Sequence, residues 1–219
     1  EKAKKFGIHV NKKLVIIAVL IIALFIISNY FNNLNEPQPT GKITISGAWA
    51  LYPMMVKWAE EYQKIHSTVK IEISAGGAGK GMTGALAGLV DIGMVSREIN
   101  PTKIKKGAFF VTVTKDAVVP TMNEDNPVVN NILTKGVKKS TFIGIYINSD
   151  VTNWGEVVDR PEITDKINVY TRSDSCGAAE TWAKYLNNKK QEDLKGTGVY
   201  GDPGVSEAVK NDNLGIGYN

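Results

Sequence analysis

Two stretches of the chain combine residue types and spacing suited to holding an anion. The first is Ser74-Ala75-Gly76-Gly77-Ala78-Gly79-Lys80-Gly81-Met82, which follows the alternating run Val69-Lys70-Ile71-Glu72-Ile73. It precedes a segment expected to be helical from Met82 to Leu89. A strand that passes through glycines into a helix leaves several backbone N–H groups without intrahelical partners, at the positive end of the helix dipole. The second stretch is Arg172-Ser173-Asp174-Ser175-Cys176-Gly177-Ala178, which follows the strand-like Ile167-Asn168-Val169-Tyr170-Thr171. Its arginine offers a planar fork matched to an oxyanion, and Asp174 is placed to hold that fork. Both stretches also read more plainly. The first serves as a strand–helix connection with glycines for tight packing, and the second as a surface loop capped by Ser173 or Ser175.

Nucleotide chemistry is not supported. A P-loop needs Gly, four residues, then Gly-Lys-Ser/Thr, but Gly79-Lys80 is followed by Gly81 and the earlier position is Ser74. A dinucleotide fingerprint begun at Gly77 fails at Met82. A nucleophile built on Lys80, or on Cys176 with Asp174, lacks an accompanying histidine in sequence. His9 and His66 have no ligand-like neighbours, so neither a metal site nor a cofactor is expected. Cys176 is the only cysteine, so no internal disulfide forms and a buried core must carry the stability.

The formal charge of +4 is local: residues 1–13 hold five lysines and one glutamate, and basic and acidic side chains cancel beyond them. Composition therefore gives no support to a nucleic-acid partner. Leu14 to Ile27 is an uninterrupted apolar run. Extended through Ser28, Asn29, Tyr30 and Phe31, it approaches the ~20 residues that cross a bilayer as a helix. Lys2, Lys4, Lys5, Lys12 and Lys13 precede it, which predicts a cytoplasmic N-terminus. The lack of a small-x-small cleavage site after Ile27, or of a nearby cysteine to take a lipid, favours an uncleaved signal-anchor over a cleaved signal peptide. Residues 41–219 are then expected on the extracytoplasmic side of the cell membrane, held by a single pass.

The elements that must position the two stretches follow from periodicity. Lys42–Ser46 alternates as a strand and turns through Gly47–Tyr52 into a helix with Pro53 near its first position. On that helix Met55, Trp58, Ala59 and Tyr62 are expected to face the core. Further strands are expected at Asp91–Val95, Ala108–Thr114 and Ala117–Met122, and a helix from Asn126 to Leu133. A helix through Trp182 and Leu186 follows the second stretch. Strands alternating with helices predict an α/β domain with a largely parallel sheet, whose ligand sits beyond the carboxyl ends of the strands.

Taken together, Gly47–Trp58, Ser74–Met82, Asp91–Arg97, Asn153-Trp154, Arg172–Ala178 and Gly215–Tyr218 resemble the substrate-binding subunits of phosphate ABC importers. The resemblance spans about residues 41–219. It implies a two-lobed periplasmic-binding-protein fold of type II that closes around an anion by hinge bending. The expected division is a cytoplasmic basic tail at 1–13, a transmembrane signal-anchor at 14–31 and a linker at 32–40. A first lobe is expected at 41–119 and a second at 120–205, with residues 206–219 returning toward an incomplete first lobe.

The implied ligand is phosphate or a related oxyanion, delivered to ABC permease subunits without chemistry on it. An alternative is a membrane-tethered anion sensor or scaffold that transports nothing. By resemblance the ligand-binding residues are Trp49, Ala50, Gly76, Gly77, Ala78, Ser96, Arg172, Asp174, Ser175, Cys176, Gly177 and Ala178. Arg172 would be the charge partner, Ser96 and Ser175 hydroxyl donors, and Ala50, Gly77, Ala78 and Gly177 backbone donors. The chain departs from the family where Trp49, Ala50, Gly76 or Gly77, Cys176 and Ala178 replace hydroxyl residues, which shifts the load to backbone N–H groups and Arg172.

Overall fold

In a computed structural model the described residues are 20–29 and 39–219. Residues 20–29 are helical and expose Leu20, Ile21, Ile22, Leu24, Phe25, Ile26 and Ile27. Among the described residues no helix is long and apolar enough to cross a membrane. The basic tail at 1–13, His9, the two ends of the expected span at 14–31 and most of the linker lie outside the described residues.

Residues 41–219 form one compact unit containing two sheets. The first contains β1 (Gly41–Gly47), β2 (Val69–Ala75) and β3 (Ile92–Met94), in the order β2-β1-β3, and is wholly parallel. Asp91 ties β3 to β1, because its Oδ2 accepts from both the N–H and the hydroxyl of Thr44 at 2.7 Å. The connection from β1 to β2 is α1 (Tyr52–Ile65), and that from β2 to β3 is α2 (Ala78–Leu86). Short α3 (Pro101–Lys105) follows β3, capped by Asn100, whose Oδ1 accepts from Thr102 N–H.

The second sheet orders as β4-β7-β5-β6, from β4 (Pro120–Met122), β5 (Asn168–Arg172), β6 (Thr197–Val199) and β7 (Gly215–Tyr218). Strands β5, β6 and β7 run parallel, and β4 pairs antiparallel to β7. Helices α4 (Val129–Lys135), α5 (Lys139–Ile143, continued by a π-type turn to Asn148) and α6 (Trp154–Val158) lie between β4 and β5. Helix α7 (Gly177–Tyr185) connects β5 to β6, and α8 (Gly201–Lys210) connects β6 to β7. The tail of the chain differs from expectation. Residues 206–219 do not rejoin the first sheet; they complete α8 and form β7, which sits between β4 and β5. Gly217 explains the fit, since a Cβ there would lie 2.6 Å from Val205 Cγ1 and 2.9 Å from Val209 Cγ2 of α8.

The main core belongs to this second sheet. Ala179, Trp182 and Ala183 on α7 and Leu186 just past its end recur at helical spacing and are buried, packed with Tyr146, Trp154, Ile216 and Tyr218. The rings of Trp182 and Tyr218 stack at 5.8 Å, and Trp154 donates its indole N–H to Leu214 C=O at 3.1 Å. The first sheet has a smaller cluster of Ile45, Ala48, Ala78 and Met94.

Four further expectations are corrected. On α1, Ala59 is buried and Met55 packs on the small cluster, but Trp58 and Tyr62 are 40% and 41% exposed, because that cluster covers only a narrow stripe of the helix. Ala108–Thr114 is not a strand, and Ala117–Met122 contributes only its last three residues. Among the described residues no neighbouring strand supplies that stretch with a hydrogen-bond ladder, and Phe109 is 90% exposed. The helix expected at Asn126 begins at Val129, because the Asn126 side chain is engaged with Val128 N–H and Asn213 C=O.

Candidate functional site

Both anion-suited stretches stand at the carboxyl end of a parallel strand, and the fold brings them into contact. Helix α2 begins at Ala78, four residues before the expected Met82, so Gly79, Lys80 and Gly81 belong to its first turn. Glycine is tolerated there because the helix lies close on its neighbours. A Cβ on Gly81 would fall 2.4 Å from Met94 C=O and 2.9 Å from Gly47 Cα. Gly77 forms the turn into the helix with φ at +87°, which favours glycine.

The backbone donors of this turn are not all free. The N–H groups of Gly76 and Gly77 both donate to Gly47 C=O, at 2.9 and 3.0 Å, and Gly79 N–H donates to Ser175 C=O at 3.1 Å. Gly77 is thus a pinned turn of the scaffold, and Ala78, the first helical residue, is the one of these positions that reaches the cleft.

The second stretch carries the charge. Arg172 ends β5 with its side chain 1% exposed. Its Nε donates to Asp174 Oδ1 at 2.7 Å and its Nη2 to Asp174 Oδ2 at 2.6 Å, a side-on fork. Its Nη1 donates to Asp202 Oδ1 at the start of α8. Burial is the largest single influence and opposes the arginine's charge, but the hydrogen bonds and charge of Asp174 together with the Cys176 sulfur outweigh it and hold the guanidinium above its ordinary pKa. Burial likewise acts to raise the Asp174 carboxyl, and the Arg172 bonds and Gly201 N–H reverse that, leaving it below the usual carboxylate value.

The loop around this pair is clamped. Gln191 Nε2 donates to Asp174 C=O at 2.7 Å, and Gln191 Oε1 accepts from Cys176 N–H at 3.2 Å. Tyr218 hydroxyl shares a 2.7 Å hydrogen bond with Thr171 and accepts from Arg172 N–H at 3.2 Å, while burial pushes its pKa up to about 12. Cys176 is the N-cap of α7, its sulfur accepting from Ala179 N–H at 3.3 Å. Burial pushes the Cys176 thiol up, which keeps it protonated and a poor nucleophile near neutral pH.

Between the two stretches lies a cavity of ≈ 80 Å³. Trp49, Ala50, Ala78 and Ser96 line it from the first sheet, and Arg172, Cys176 and Ala178 from the second. Gly76, Gly77, Asp174, Ser175 and Gly177 were expected there and do not line it. A Cβ on Gly76 would meet Lys80 Cδ at 2.4 Å, one on Gly77 would meet Asp174 Oδ2 at 2.7 Å, and one on Gly177 would meet Ser96 C=O at 2.0 Å. Ser175 is exposed, and its Oγ would sit 2.9 Å from a Cβ on Gly79. Gly77, Asp174, Ser175 and Gly177 hold the two halves together rather than line the cavity, and Gly76 packs within its own half. Two ion pairs join the halves as well: Arg97 Nη1 with Glu180 at 2.7 Å and Lys184 with Glu98 at 3.5 Å.

Sequence reasoning missed Asp116, Val118, Thr181, Asp202 and Asn219, all of which line the cavity. Thr181 follows Ala178 by three residues on α7, and that helical spacing was a usable signal. The others come from an irregular crossing or from element ends, where no periodicity points inward. Two polar atoms of the lining are buried without partners, the indole N–H of Trp49 and Oδ1 of Asn219. Trp49 also lies edge-on to Tyr200 and against Gly201, so it reaches from the first sheet to the start of α8.

Fold and site together define an α/β protein with a cleft where the parallel strands of two sheets present their carboxyl ends. The chain belongs to the PBP superfamily, whose domain matches residues 34–219. It is 30% identical over 215 residues to the phosphate-binding protein PstS of Methanocaldococcus jannaschii, covering 84% of this chain and 54% of that protein. To the phosphate-binding protein PstS 2 of Streptococcus agalactiae it is 34% identical over 118 residues, covering 54% of this chain and 38% of that protein. The chain thus spans about half or less of the length of these relatives. Among solved structures it is similar to a phosphate ABC transporter substrate-binding protein from Clostridium perfringens with bound phosphate. That match has a TM-score of 0.70 and 25% identity, over 81% of this chain and 70% of that one. An ABC-type phosphate transport receptor from Vibrio cholerae shares the fold, with a TM-score of 0.56 at 22% identity over 82% of this chain and 71% of that one.

Proposed function

We propose that this chain is the binding part of an extracytoplasmic solute receptor. It captures phosphate or a related oxyanion in the cleft and presents it to the permease of an ABC importer. The observation that carries this reading is the cleft itself, which has a buried arginine on one wall and the first residue of helix α2 on the other. Unpartnered Trp49 N–H and the Ser96 and Thr181 hydroxyls add donors around the same space. The likeness to the Clostridium perfringens protein, solved with phosphate, supports the choice of anion. Binding needs no covalent step: the ligand is held by charge and hydrogen bonds and released as the two walls separate.

The site residues follow from the lining: Arg172 as charge partner, Ser96 and Thr181 as hydroxyl donors, Trp49 as indole donor and Ala78 as backbone donor. Residues 14–31 act as a single-pass signal-anchor, supported by the five lysines before them and the apolar faces exposed along residues 20–29. Calorimetric titration of the chain with phosphate tests the binding reading, and carbonate extraction of membranes tests the anchor. Release of the chain by carbonate would refute the anchor without touching the binding reading.

A further inference from the structure

The arginine expected to meet the ligand already has two carboxylates on it, and they are held differently. Asp174 is 6% exposed in its side chain, takes the Nε–Nη2 side of Arg172 and also accepts from Gly201 N–H at 3.1 Å. It does not line the cavity. Asp202 is 24% exposed in its side chain, takes Nη1 and does line the cavity. Among the described residues the Asp202 carboxylate has no polar partner other than Arg172. Asp202 stands between Gly201, with φ at +77°, and Pro203 at the start of α8.

We propose that Asp202 is an affinity-setting residue that acts as an internal competitor for the anion. Its carboxylate occupies the cavity-facing side of the Arg172 guanidinium and gives way when an oxyanion binds. The charges support this. Arg172 with Asp174 is neutral, and adding Asp202 leaves the group one unit negative in a site that is to receive an anion. A carboxylate and a phosphate oxygen seek the same N–H donors, so both cannot hold Nη1 in full. Asp174 is fixed by two elements and stays, while the Asp202 side chain can swing toward solvent with the backbone of α8 in place. The inference rests on the oxyanion reading of the cleft.

The test titrates the full chain and its Asp202→Asn variant with phosphate and with sulfate by calorimetry. Removing the competing charge is expected to tighten both anions by about tenfold or more, the scale of a like charge lost from a partly buried site. Wild-type binding with unchanged or weaker phosphate affinity in the variant overturns the inference and leaves the oxyanion reading standing. No binding by either protein overturns both. If Asp202→Asn does not fold, Asp202→Ser removes the same charge with a smaller side chain, and the same outcomes apply.

Discussion

The turn from β2 into α2 and the turn from β5 into α7 are the same device built from different residues. Each carries a parallel strand to its carboxyl end, turns at a glycine-containing loop and starts a helix beside the cleft. In the first, glycines let backbone meet backbone, and Gly76 and Gly77 give their N–H groups to Gly47. In the second, side chains dominate: Arg172, Asp174, Gln191 and Tyr218 form a connected, largely buried network. Glycines of both turns set how closely the two halves approach, Gly77 and Gly79 against Asp174 and Ser175 and Gly177 against Ser96, and the arginine turn sets the charge they enclose. A glycine loop ahead of a helix is therefore an ambiguous sign of anion binding, because its donors are as readily used to fix the scaffold.

The comparison breaks most completely at the arginine. Arg172→Ala leaves Asp174 buried without its partner, which costs about 3–5 kcal/mol of stability and removes phosphate binding. Denaturant unfolding and titration of the same variant read both effects, and near-wild-type stability would show that the network does not hold the loop. The glycines come next and sharpen the contrast. In Gly177→Ala the new methyl meets backbone at Ser96, so a loss of about 3 kcal/mol and separation of the two walls are expected. In Gly76→Ala it meets only the flexible end of Lys80, so a loss below about 1 kcal/mol is expected. Equal thermal shifts in the two variants would mean that the glycines do not set the approach.

A smaller effect is a component of acid stability. Asp174 has its folded pKa held below the unfolded value, so its contribution is complete above about pH 4 and is lost as pH falls through the depressed value. Denaturant unfolding from about pH 5 downward should therefore show a stability loss that Asp174→Asn lacks. Equal slopes for both proteins would remove Asp174 from the balance.

Much of the fold was legible because its strands and helices repeat with clear periods. Lys42–Ser46 and Val69–Ser74 fall within strands, and Ile167–Thr171 does so from Asn168 on. Ala108–Thr114 was not, because alternation predicts a strand without supplying its neighbour, and residues 206–219 misled because pairing order is not written in local pattern. At the site, Arg172 and its partner Asp174 were visible from spacing alone. Asp202 and Asn219 were not: they reach the cleft from the ends of elements whose position only the assembled sheet decides. Ser175 and Gly177 were drawn in by the motif around them and serve packing between the halves instead.

The most direct test of the central claim is a calorimetric titration of the 219-residue chain with phosphate, repeated with Arg172→Ala. The account predicts saturable one-to-one binding by the wild type and none by the variant. Absence of binding by the wild type to phosphate, sulfate, molybdate and tungstate alike, or undiminished binding by Arg172→Ala, would contradict it.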